Sequence, residues 1–185
     1  MFDEDSPSVA AILIAGLSVD EAIGRLDEAL RLQRCQRHDT PPPRGYPAGA
    51  LEWVGFAVVP LPEPSGVAIL PSAVGHAFDL ARWVSAASPD QLVIAWRRLR
   101  GEAPVAKFLS EGVPRWKDGD DPDHEVHWRV PSHPPAETPL PPTHGLPATA
   151  AECSAAVRPL IRRFADPPGP HDRVVGYIER RSPLA

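Results

Sequence analysis

Cysteine is scarce in this chain of 185 residues: Cys35 and Cys153 are the only two, too few for a disulfide framework. Each is expected to act as a small buried hydrophobe rather than a nucleophile. Lys107 and Lys117 are the only lysines, an arginine preference that matches the coding bias of a GC-rich bacterial genome. No apolar run approaches the ~20 residues needed to span a bilayer; even Val9 to Leu17 falls well short. The start Met1-Phe2-Asp3-Glu4-Asp5 is acidic, without the positive n-region of a signal peptide. A cytoplasmic protein with no membrane partner is the expectation. Also missing are a phosphate-binding loop, a dinucleotide fingerprint, a C-x-x-C pair, the helical H-E-x-x-H pattern, the twelve-residue calcium loop and the G-x-S-x-G elbow. These absences argue against nucleotide, redox, zinc-protease and α/β-hydrolase chemistry, and no cofactor is expected. No internal repeat is visible.

Positive charge is not in excess. The net charge is −5, which argues against a dedicated nucleic-acid binder. Residues 1–95 hold twelve acids against six bases, whereas residues 96–185 are nearly balanced. Arg97, Arg98 and Arg100 form a short basic run, expected to lie in solvent at a strand end. Proline is the one residue in clear surplus. Its 25 copies are more than twice the usual ~5%, and their clustering punctuates the chain.

Between those clusters the apolar segments have readable periods. Val9 to Ala15 is short, apolar and partly β-branched, as a buried strand requires. Ser18-Val-Asp-Glu21 follows as a capping box. The helix it opens carries Val19, Ala22, Ile23, Leu26, Ala29 and Leu30 on one face and is expected to end between Arg34 and His38, ahead of Pro41-Pro42-Pro43. Trp53–Val59 and Val67–Leu70 read as a strand pair around Leu61-Pro-Glu-Pro-Ser-Gly66. The first of them is apolar on both faces, which suits a central strand. Ala77 to Ala87 offers Ala77, Leu80, Ala81 and Val84 as a second helical stripe. Leu92–Trp96 and Pro104–Leu109 follow as strands, with Glu111-Gly112 as the next turn.

This order predicts the α+β class: a split βαβ (ferredoxin-like) sandwich, with a mostly antiparallel sheet and helices on one face. After residue 112 the texture changes. Trp116 to Asp123 reads as an acidic loop, and Glu125 to Val130 alternates polar with apolar like a half-buried outer strand. The chain then divides into a core domain (1–130), a proline-rich linker (131–148) and a C-terminal segment (149–185). That segment has a capping box at Thr149-Ala-Ala-Glu152 and a helix with Cys153, Ala156, Val157, Leu160, Ile161 and Phe164 as its stripe. Pro159 is expected to kink or split this helix, and Arg173 to Glu179 to form a last strand. Burying such a stripe is worth about 1.5–3 kcal/mol per large side chain, so the helix must pack on the core or on a partner.

Ligand-type residues gather in one place only, from Asp118 to His127. Asp120, Asp123, His124 and His127 are weak candidates for a divalent cation, since carboxylates suit hard ions and imidazole suits zinc. On a strand, however, residues three apart such as His124 and His127 face opposite ways, and a solvated acidic turn explains the same residues. Arg115, Trp116, Asp118, Asp120 and Asp121 are candidates for a partner surface, because an aromatic ring beside arginine is the composition of an interaction hot spot and the acids would complement a basic protein. Trp116 is expected to be exposed, and Trp53 and Trp96 to be core. The sequence therefore favours a non-catalytic accessory protein, comparable in charge to a small immunity protein that neutralises a basic toxin. It would bind another protein through a sheet face or edge. Two alternatives are a metal-dependent hydrolase built on Asp120, Asp123, His124 and His127, and a structural subunit of a larger assembly. The leading reading predicts that purified protein carries no stoichiometric metal and melts at the same temperature with and without chelator, a result that would remove the hydrolase alternative; a chelator-dependent drop would overturn the leading reading's expectation of no metal.

Overall fold

β1 (Val9–Ala15) is apolar on both faces, and residues Ala11 to Ala15 have no exposed surface. The computed structural model describes residues 8–40, 53–62, 64–72, 74–75, 77–120, 131, 140–163 and 173–179. After β1 come α1 (Val19–Leu32), β2 (Cys35–Arg37), β3 (Trp53–Pro60), β4 (Gly66–Pro71), α2 (Ala77–Ala86), β5 (Val93–Arg98), β6 (Val105–Ser110), β7 (Val113–Asp118), α3 (Ala150–Arg163) and β8 (Arg173–Glu179). The strands form one eight-stranded sheet in the order β2-β8-β3-β4-β1-β5-β6-β7. Every neighbouring pair is antiparallel. With three helices among the described residues, the fold is α+β.

Local chemistry explains where the elements start and stop. At the head of α1 the Glu21 amide donates to Ser18 Oγ (3.3 Å) and the Ser18 amide donates to Glu21 Oε2 (2.8 Å), so two of the helix's orphan donors are satisfied reciprocally. The helix ends earlier than its sequence suggests. Arg34 adopts a left-handed φ of 61° and turns the chain into β2, a three-residue strand that lacks any apolar alternation. Between β3 and β4 the turn closes through Leu61 N–H to Gly66 O (2.8 Å). Gly66 has a φ of 122°, and a Cβ there would lie 2.1 Å from the Ile14 carbonyl oxygen; only glycine lets β4 pass so near the end of β1. The expected acidic loop from Trp116 is in fact preceded and partly replaced by β7. Glu111 and Gly112, both with positive φ (54° and 76°), make a two-residue hairpin in which Ser110 pairs with Val113. Pro114 is tolerated because β7 is the last strand of the sheet among the described residues. The segment 125–130, read as an outer strand, lies outside the described residues.

The two faces of the sheet carry separate cores. On the first, Ile12, Ile14, Phe56, Val58, Val67, Ile69, Val93 and Val105 pack under α1 (Ala22, Leu26, Ala29, Leu30) and α2 (Phe78, Leu80, Ala81, Val84). On the second, Ala11, Leu13, Ala68, Ile94, Trp96, Phe108 and Trp116 pack under α3 through Ala150, Cys153, Val157 and Leu160, with Leu140 and Leu146 of the preceding loop beside them. The C-terminal helix thus seats on its own chain's sheet. β8, from the same segment, pairs with β3 on one side and β2 on the other.

Trp96 fastens α3 in place. Its indole N–H donates to Ser154 Oγ (3.1 Å) and to the Ala150 carbonyl (3.2 Å), while the Ser154 hydroxyl donates to that same carbonyl (2.8 Å). A buried tryptophan with a satisfied N–H contributes its large apolar area without a desolvation penalty. At the start of α3, Glu152 N–H donates to Thr149 Oγ1 (3.2 Å), and Glu152 Oε2 accepts from Ala148 N–H (2.7 Å). This is a capping box whose return bond is shifted one residue upstream. α3 runs through Pro159 as one helix rather than splitting there. Pro159 and Ala155 both face solvent, so the carbonyl that proline leaves without an intrahelical donor is hydrated at little cost.

Gly55 and Gly176 are register partners on β3 and β8, and the Trp53 ring lies across both. A Cβ on either would come within 2.5 Å or less of that ring. We expect Gly176→Val to destabilise the fold by about 1–3 kcal/mol in urea denaturation, the usual cost of overpacking. Relieving the clash with Trp53→Ala should recover part of that loss; equal stability of Gly176→Val and the native chain would refute this packing.

Candidate functional site

One helix cannot cover an eight-stranded sheet. Strands about 4.8 Å apart spread the sheet over roughly 34 Å, and a helix is only about 10–12 Å across. On the first face α1 and α2 share the work. On the second face α3 lies over β5 and β6, and the strands beyond β4 receive no helix among the described residues.

What lies there is apolar. A groove of about 360 Å³ runs along this strip, bounded by Ile161 of α3, Val9 of β1, Leu70 and Pro71 of β4, Ala57 of β3 and Val174 of β8. Trp53 forms one end, its N–H donating to the His38 carbonyl (2.8 Å). Ser72 is held by β3: its Oγ accepts from the Gly55 amide (3.1 Å) and its own amide donates to the Gly55 carbonyl (2.8 Å). Val174 is 47% exposed, whereas the next residue, Val175 on the opposite face, is 1% exposed. A larger cavity, about 750 Å³, opens at the head of α1 beside Asp20, Pro60 and Arg173. There Ser18 and Glu21 already cap each other, and the two acids disfavour an anion.

The residues singled out from sequence fall elsewhere. Trp116 is buried, not exposed: it sits on β7, its ring stacked 4.4 Å from Phe108 with an interplanar angle of 4°. Because Phe108 and Trp116 are direct cross-strand partners, the tryptophan closes the core edge instead of reaching solvent. Asp118 is committed internally, accepting the Ala150 N–H at 2.6 Å; its carboxylate complements the positive end of α3. Arg115 is half-buried, donating from Nη2 to Glu111 Oε2 (3.3 Å). Asp120 is exposed. Asp121, Asp123, His124 and His127 lie outside the described residues. Among the described residues no three His, Cys, Asp or Glu side chains gather as metal ligands would. Nor is any described helix long and apolar enough to cross a membrane.

Two polar clusters, one buried and one largely exposed, belong to the architecture. Arg97 and Lys107, side by side on the first face, approach the Phe78 ring at 4.6 and 4.1 Å. Cation–π attraction favours this placement, and Arg97 is buried where solvent was expected. At the far edge, Tyr177 of β8 donates its hydroxyl to Asp27 of α1, whose other oxygen meets Arg37 Nη1 at 3.1 Å. Arg37 Nε in turn reaches Asp39 Oδ1 (2.9 Å). These bonds tie the short β2 to the helix and to β8. The hydrogen bond from Arg37 holds Asp39 below the ordinary carboxylate range. Burial raises the Tyr177 hydroxyl well above its ordinary value, and the Asp27 carboxylate adds to the shift.

Residues on the groove gave little signal in sequence. Val174 and Ile161 look like any strand and helix hydrophobes, and nothing in the chain's order says that β8 inserts beside β3. The alternation Trp53-x-Gly55-x-Ala57 was the one available sign, since it makes one face of β3 flat. Comparison with protein-family models, curated proteins and solved structures finds no match for this chain.

Two solution measurements test these environments. Burial in the second core pushes the Cys153 thiol up to about 12, while Cys35 is half-buried. A thiol reagent at pH 8 should therefore label one cysteine per native chain and two after denaturation; rapid native labelling of both would mean that α3 is not seated. Tyr177 makes stability pH-dependent. The unfolded phenol ionises near pH 10 while the folded one keeps its proton, so its contribution is complete below that pH and declines above it. Tyr177→Phe should lose less stability than the native chain between about pH 9.5 and 11. Identical alkaline profiles would remove Tyr177 from that role.

Proposed function

We propose that this chain is a non-catalytic protein-binding module that engages another protein through the uncovered strip of its second sheet face. One observation carries the reading: among the described residues no helix lies over β8 on the second face, and Val174 there is 47% exposed beside an apolar groove, while Val175 on the other face is 1% exposed. The groove's described polar lining side chains are serines, and Ser72 is already bonded to the backbone, so the strip offers shape and apolar area rather than reactive groups. The net charge of −5 and the acids that follow β7, Asp120 and Asp121 among them, favour a basic partner. In this respect the chain would act as small immunity-type accessory proteins do.

The same reading takes β1, α1, β3, β4, α2 and β5 as a split βαβ core of ferredoxin-like type. The sheet order β3-β4-β1-β5 supports it, with β8 and β2 added beyond β3 and with β6 and β7 added beyond β5.

A photo-crosslinking residue in place of Val174, with Leu32 as a second exposed position on α1, tests the proposal in the native host. The expected result is one discrete protein adduct from position 174 and none from position 32. Val174→Glu should weaken binding to the identified partner at least tenfold while shifting stability by no more than about 0.5 kcal/mol, as for other surface changes. No adduct at 174, or the same adducts at both positions, would overturn the proposal.

A further inference from the structure

We draw no further inference here: the strongest candidate, the apolar groove between α3 and the β3–β8 strip of the sheet, belongs to the site already described, and nothing in the structure shows what covers it.

Discussion

The constraint behind this architecture is the double-sided burial of β1. Ile12 and Ile14 point to one face and Ala11, Leu13 and Ala15 to the other, all without exposed surface. A strand with that composition is stable only if both faces of its sheet are roofed, because each large side chain left in water would forfeit about 1.5–3 kcal/mol. The helices nearest in sequence, α1 and α2, supply the first roof. The second comes from far along the chain, across residues 119–149. The C-terminal segment is therefore part of the same folding problem as the first strand.

How α3 is held shows that its seat is specified and not merely greasy. Asp118 at the end of β7 meets the first amide of the helix, and Trp96 of β5 bonds to Ala150 and Ser154 one turn later. Both anchors fall at the N-terminal end of α3, over β5 and β7. This placement decides which part of the second face is roofed. The helix closes the half of the sheet that contains Trp96, Phe108 and Trp116, and on β3 and β8 the Trp53 ring lies flat over the paired glycines. Aromatic cover of cross-strand glycines is one way a sheet protects backbone that has no side chains of its own. Past that ring, Val174 is the first large apolar group to reach solvent.

Much of this arrangement is legible from residue order. β1 begins and ends where its apolar run does, the Ser18–Glu21 box starts α1, and the two-sided β3 sits inside the sheet between β4 and β8. β8 itself matches Arg173 to Glu179. What sequence could not show depends on partners distant in the chain. β2 has no pattern of its own and exists because β8, some 140 residues later, bonds to it. β7 is masked by Pro114 and by its charges, although the Glu111-Gly112 turn ahead of it was a hairpin signal. Trp116 looked like a hot spot because Arg115 and Lys117 flank it, but strand alternation sends the flanking charges one way and the ring the other. The same limit applies to the candidate surface: a strip that no described helix covers is defined by elements distant in the chain, and no local pattern encodes that.

The central claim is that α3 roofs only part of the second face and that no described helix covers β8 on that side. Methyl relaxation in the presence of a soluble paramagnetic probe measures this directly, comparing Val157 on α3 with the adjacent pair Val174 and Val175. Strong broadening at Val174, with Val157 and Val175 protected, is the predicted result. Protection of Val174 equal to that of Val175 would show the strip to be covered, and broadening of Val157 would show that α3 does not hold its place; either would contradict the claim.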